Sequence, residues 1–175
     1  MATFDNRLAS YSSPVLSAFR IVFGLLFMLN GSMKIFGWPL GTAIPVGTWP
    51  FWWAGLIEFV TGLLITVGLF TRIAAFIASG QMAVAYFWQH WPPLQGPQGS
   101  FWPFAQEVGG NGGERALLYC FAFLLLATLG AGTLSVDARR GGGQRRVVTG
   151  TATQAGYATD QRAPRRGLLD RFRRR

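Results

Sequence analysis

The sequence predicts an all-α integral membrane protein, a four-helix bundle followed by a disordered basic C-terminal tail. Three observations predict it. Half of the 175 residues are hydrophobic and only 13 % are charged, about half the charged fraction of a soluble domain. The apolar residues gather into four runs within residues 15–137. The formal net charge of +9 is confined to the end of the chain: from Arg139 onward 11 arginines face only Asp160 and Asp170, whereas residues 1–138 sum to zero. An aromatic content of 15 %, with 7 Trp, excludes a chain that is disordered or fibrous throughout.

Residues 1–14 form a short cytoplasmic segment ahead of the first span, about residues 15–36, whose charge-free stretch is bounded by Arg20 and Lys34. About 20 apolar residues cross a hydrocarbon core of roughly 30 Å. A cleavable signal peptide is the rival reading of this stretch, but residues 30–34 lack the small-x-small cleavage pattern. The second span, about 51–70, is interrupted only by Glu58. The third, about 73–91, is Ala-rich and reaches its length with Gln89 and His90 at the far interface. The fourth, about 116–134, carries no charge. Arg7, Arg20, Arg72 and the arginines from Arg139 to Arg146 share one side, and Lys34 and Arg115 the other. The positive-inside rule then places both termini in the cytoplasm.

Several chemistries are excluded by what is scarce. One cysteine, Cys120, closes no intramolecular disulfide and forms no CxxC pair, and one histidine, His90, builds no bis-His haem site. No metal site is predicted. Cys120 reads as a packing thiol and His90 as an interfacial side chain. Any electrons handled by this protein belong to a partner or a bound cofactor.

Glu58 is the most informative residue, because an ionised carboxylate within a span costs several kcal/mol unless paired or hydrated. At 100° per residue Gly55, Thr61, Gly62 and Ile65 share its face, a small-residue surface that admits close helix approach. On the first helix Arg20, Gly24, Phe27, Gly31 and Lys34 form the matching stripe. An ion pair between Lys34 and Glu58 is the simplest way to keep both in the bundle. A polar cluster of Lys34, Glu58 and Glu114 is expected, joined by Asn30, Gln81 and Tyr119. It reads either as a structural lock or as a binding or proton-handling site, and the sequence leaves both open. Arg20 and Arg72 are expected as lipid contacts at the inner interface.

The long connection over residues 89–113 reads as an interfacial loop in preference to an aromatic lid over a pocket. The small-xxx-small patterns at Ala74, Ala78 and Ala127, Ala131 serve intramolecular packing or a homo-oligomer equally well. In the tail, residues 138–175, Arg165, Arg166, Arg171, Arg173, Arg174 and Arg175 surround Leu168, Leu169 and Phe172. That pattern suits docking to anionic membrane lipids or an acidic partner protein, and not to nucleic acid.

Arg20, Gly24, Gly31 and Lys34-Ile-Phe-Gly37, then Gly55-x-x-Glu58-x-x-x-Gly62, Gly68-x-x-Thr71-Arg72, Asn111-Gly-Gly-Glu114, Tyr119 and Gly130-x-Gly132-x-x-Ser135-x-Asp137 together resemble the DoxX family of small four-helix membrane proteins. The resemblance implies a bacterial inner-membrane protein linked to respiratory and thiol redox. It implies a membrane anchor or subunit of an oxidoreductase complex in oxidative-stress defence, with a superoxide dismutase and a thiosulfate sulfurtransferase as partners, and no catalytic residue is carried over. The alternative it implies is a quinone-binding subunit of a thiosulfate:quinone oxidoreductase-like enzyme, with quinone as the candidate cofactor at the Lys34, Glu58 and Glu114 cluster. A small transporter is a third, weaker reading. The preference for Arg over Lys, 15 to 1, is compatible with an actinobacterial source.

Overall fold

A computed structural model describes residue 9, residues 11–92 and residues 100–140. The chain divides into two units, Met1–Arg145 and Arg146–Arg175, and the described residues all lie in the first. The tail expectations for Arg165, Arg166, Arg171, Arg173, Arg174 and Arg175 fall outside the described residues.

The described residues form helices and no strand. Helix α1, Ser12–Phe36, ends where Gly37 takes φ 71° and donates its N–H to the Met33 carbonyl. Helix α2, Phe51–Val67, ends in the same way at Gly68, φ 74°, whose N–H reaches Leu64 and Ile65. A left-handed glycine after the last helical residue is the common helix stop. Helix α3, Thr71–Ala85, continues through a π-helical turn, Tyr86–His90. A 3-10 turn, Gln106–Val108, precedes α4, Glu114–Leu129, and the short α5, Val136–Arg140.

The elements are shorter than the stretches of apolar sequence. Helix α4 stops at Leu129 and not near residue 134, because Gly130 at φ 93° and Gly132 at φ 72° turn the chain back over the bundle. Helix α2 stops before residue 70 because residues 68–70 form the turn into α3. By length and composition α1 is long and apolar enough to cross a membrane, and α2 is a shorter apolar helix of 17 residues.

Helix α1 packs chiefly on α2, and α3 chiefly on α4. The first pair is held by missing side chains. A Cβ on Gly62 would lie 2.5 Å from the Met28 backbone nitrogen, and one on Gly31 would lie 2.6 Å from the Gly55 carbonyl oxygen. The two backbones therefore touch, which small residues alone allow. The buried face of α2 is Gly55, Glu58, Thr61, Gly62 and Ile65, the set that the 100° arithmetic gives. The second pair is joined by Ala74, Ala75, Ala78 and Met82 against Phe123 and Leu126, and by the Ser79 hydroxyl donating to the Cys120 carbonyl at 2.8 Å. Rings link the pairs: Phe27 of α1 meets Tyr119 and Phe123 of α4, with centroids at 5.5 and 4.7 Å.

Polarity is distributed inside out. Arg20, Glu58, Ser17, Thr61, Thr71 and Ser79 are buried, while Val22 and Leu26 of α1, Val60 and Leu63 of α2, Phe76 and Ile77 of α3, and Phe121 and Leu125 of α4 are exposed.

Candidate ligand-binding cavity

Glu58 lies on the buried face of α2, 2 % exposed. Lys34 reaches it across Gly55: a Cβ at Gly55 would stand 2.7 Å from the Lys34 Cβ, so the absence of a side chain one turn before Glu58 gives the lysine stem its path. The ammonium ends 2.5 Å from Glu58 Oε1. From α3, Gln81 Nε2 donates to the same oxygen at 3.2 Å and to the Ala54 carbonyl at 3.1 Å. Three helices thus converge on one carboxylate oxygen. The second, Glu58 Oε2, is buried without a hydrogen-bond partner, as is Gln81 Oε1.

These side chains line a cavity of about 490 Å³, within the roughly 300–1,000 Å³ of small-molecule sites. Asn30, Phe27 and Tyr119 contribute to its wall, together with Trp49, Trp53 and Trp88, His90 and Arg115. Asn30 spends one amide N–H on the Leu26 carbonyl at 2.8 Å. The Tyr119 ring is held by Phe23, Phe27 and Phe123. His90 Nδ1 donates to the Asn111 carbonyl at 2.9 Å, since that oxygen only accepts. Asn111 is fully buried, and its side-chain oxygen accepts the Gly113 N–H that precedes α4. Among the described residues no group of three or more His, Cys, Asp or Glu is placed to hold a metal.

Five of the six residues expected to cluster therefore line one cavity: Lys34, Glu58, Asn30, Gln81 and Tyr119. Glu114 does not. It is exposed at the start of α4, and the next residue, Arg115, turned by 100° on the helix, lines the cavity in its place. Trp49, Trp53 and Trp88 stand apart from the charged residues in sequence, and the only signal for them is that aromatic residues concentrate at the ends of apolar runs. The aromatic residues of the long connection behave otherwise: Phe101, Trp102 and Phe104 are exposed and none lines the cavity.

The expectation of lipid contact at Arg20 is corrected. Its side chain is 1 % exposed. Nε donates to the Ala131 carbonyl, Nη1 to Ile65 and Thr66, and Nη2 to Leu134, at 2.5–2.9 Å. The guanidinium thereby satisfies two carbonyls at the C-terminus of α2 and two on the segment that returns after α4, a demand that five fixed donors meet. Arg72 is exposed and lies across the C-terminus of α4, with long contacts of 3.4 Å to the Ala127 and Leu129 carbonyls. Beside Arg20, Asp137 accepts the N–H groups of Phe70 and Thr71, both at 2.9 Å. It caps α3 in place of Phe70, which has no side chain able to do so.

The family model described as DoxX matches residues 15–91. An uncharacterised protein of Haemophilus influenzae is 41 % identical over 135 residues, which span 75 % of this chain and 95 % of the relative. No solved structure matches.

Proposed function

The chain belongs to the DoxX family, and from that premise we propose that it is a multi-pass membrane protein whose cavity binds a small molecule of the quinone class in the service of a membrane oxidoreductase complex. The four long helices form the membrane domain, both termini face the cytoplasm, and the bundle acts as anchor and quinone-binding component beside soluble partners. A superoxide dismutase and a thiosulfate sulfurtransferase are the partners that the family resemblance offers.

The observation that carries the reading is the cavity itself. A volume of about 490 Å³ with aromatic walls and a buried, incompletely paired carboxylate fits a ligand with a flat apolar body and one polar end. The exposed apolar residues on all four helices support a lipid surrounding, because a soluble bundle turns such faces inward.

Purification from native membranes in mild detergent, with extraction and chromatography of bound quinones and identification of co-purifying proteins, tests it. Recovery of quinone in near-stoichiometric amount together with a redox protein is expected. Repeated recovery of neither overturns the reading.

A further inference from the structure

We propose that the groove between α1 and α4 is a second subsite, which takes the long hydrocarbon tail of the ligand whose head group occupies the cavity. This rests on the quinone-class reading above and adds the kind of quinone, a long-tailed one that reaches the cavity from within the bilayer.

The bundle is knit least tightly between α1 and α4. The two helices meet there through rings, Tyr119 against Phe23 and Phe27 at 5.9 and 5.5 Å. Along this seam lies a groove of about 620 Å³, lined by Phe23 of α1 and by Leu118, Ala122 and Leu125 of α4. Positions 118, 122 and 125 recur at the i, i+4, i+7 spacing of one helix stripe. Ala122, in the middle of the stripe, keeps the floor of the groove low between two leucines. Leu118 and Leu125 are exposed, so the groove opens on the face that the membrane reading turns to lipid.

The groove and the cavity share two side chains, Arg115 and Tyr119, which line both. Tyr119 is held by the rings around it. Arg115 is exposed and makes no hydrogen bond or ion pair among the described residues. Rotation of its side chain breaks no bond and joins the two volumes at the first turn of α4.

The two volumes differ in chemistry. The cavity wall carries Lys34, Glu58, Asn30 and Gln81, whereas the groove, beyond the two shared side chains, is lined by hydrocarbon alone. A polar ring with an apolar chain matches both in one pose. From Arg115 to Leu125 the helix rises about 15 Å, half of a hydrocarbon core of roughly 30 Å. That length suits a chain and leads it from the end of the helix toward the bilayer centre. Lipid is as apolar as the groove, so the tail gains position there more than affinity. Its location is therefore the quantity to measure.

The full-length protein in lipid nanodiscs is photolabelled with a benzoquinone whose decyl tail ends in a diazirine, with and without an excess of a tailless methyl-substituted benzoquinone, and the adducts are located by mass spectrometry. Adducts are expected on Phe23 and within residues 118–125, and they should fall when the tailless quinone takes the cavity. Groove adducts that survive the competitor mark an ordinary lipid groove and overturn the proposal. Adducts that the competitor removes but that lie at Ile57 or Val84, in the cavity wall on α2 and α3, overturn the groove and leave the quinone-class reading standing. Absence of any adduct sensitive to the competitor overturns both. Ala122→Trp fills the groove and should cut its labelling at least about fivefold, with the affinity for the tailless quinone unchanged. Ile77→Trp, on the exposed face of α3, should change neither. Unchanged labelling in the first variant, or an equal loss in the second, overturns the assignment. The wild-type labelling pattern decides by itself, so the test survives a variant that fails to fold.

Discussion

The two ends of the bundle treat buried charge in opposite ways. At one end Arg20 and Asp137 are consumed by backbone. The guanidinium takes four carbonyls and the carboxylate takes two N–H groups, drawn from the end of α2, the start of α3 and the segment after α4. At the other end Lys34, Glu58 and Gln81 are bound mainly to one another, and two oxygens remain unpaired beside a cavity. A polar group engaged on all sides by main chain is fixed in place and has little left to offer. One with a free valence beside open volume has a reason to meet a ligand. The difference supports the proposal of architecture at the Arg20 end and recognition at the Lys34 end.

Substitutions sharpen that contrast, beginning with the largest expected effect. Arg20→Met keeps the length of the stem and removes the guanidinium, stranding four carbonyls; the loss is expected to exceed about 3 kcal/mol, seen as failure to recover monodisperse protein in detergent. Arg20→Lys should not rescue it, because three donors on one nitrogen cannot span four carbonyls. Gly62→Ala places a Cβ against the Met28 backbone, and separation of α1 from α2 should cost about 1–3 kcal/mol, read as a lowered midpoint of thermal unfolding. Asp137→Ala removes the remote cap of α3, with an expected cost of about 1–2 kcal/mol in the same measurement.

The smallest effect on stability is expected from the most drastic change at the other end. Replacing Lys34 and Glu58 together by methionine should leave the unfolding midpoint unchanged or raised, as buried pairs exchanged for packed apolar residues are neutral or gain about 1–4 kcal/mol. The same double variant should lose quinone binding. Unfolding of that variant would break the contrast and return the Lys34–Glu58 pair to the role of a structural lock.

The face of α2 was legible from spacing, because Gly55, Thr61, Gly62 and Ile65, which share Glu58's side of a 3.6-residue period, are all buried. The partnership of Lys34 and Glu58 was legible too, since the first two apolar runs each carry an ionisable group at comparable depth, where pairing is the simplest way to keep both in the bundle. Gln81 and Tyr119 were harder: each is one polar residue in an apolar run, placed by the packing of α3 and α4. Arg20 was misjudged for a definite reason. A lone arginine at the end of an apolar run has the same appearance whether it faces lipid or main chain, and its acceptors at Ala131 and Leu134 lie 111 and 114 residues away. Glu114 and Arg115 differ by one position on a helix whose rotation the sequence does not fix.

The sequence by itself determined the helical class, the family, the glycine seam between the first two helices and the existence of an ion pair at Glu58. Periodicity and composition are local properties, and a period of 3.6 residues turns them into faces without any knowledge of the partner. Only the tertiary structure decided that Arg20 is an internal brace, that Asp137 caps a helix 66 residues away, and that a cavity opens beside two unpaired oxygens. Those outcomes depend on which main-chain groups are left over once the helices have packed, and leftover hydrogen-bonding capacity is a property of the assembled bundle.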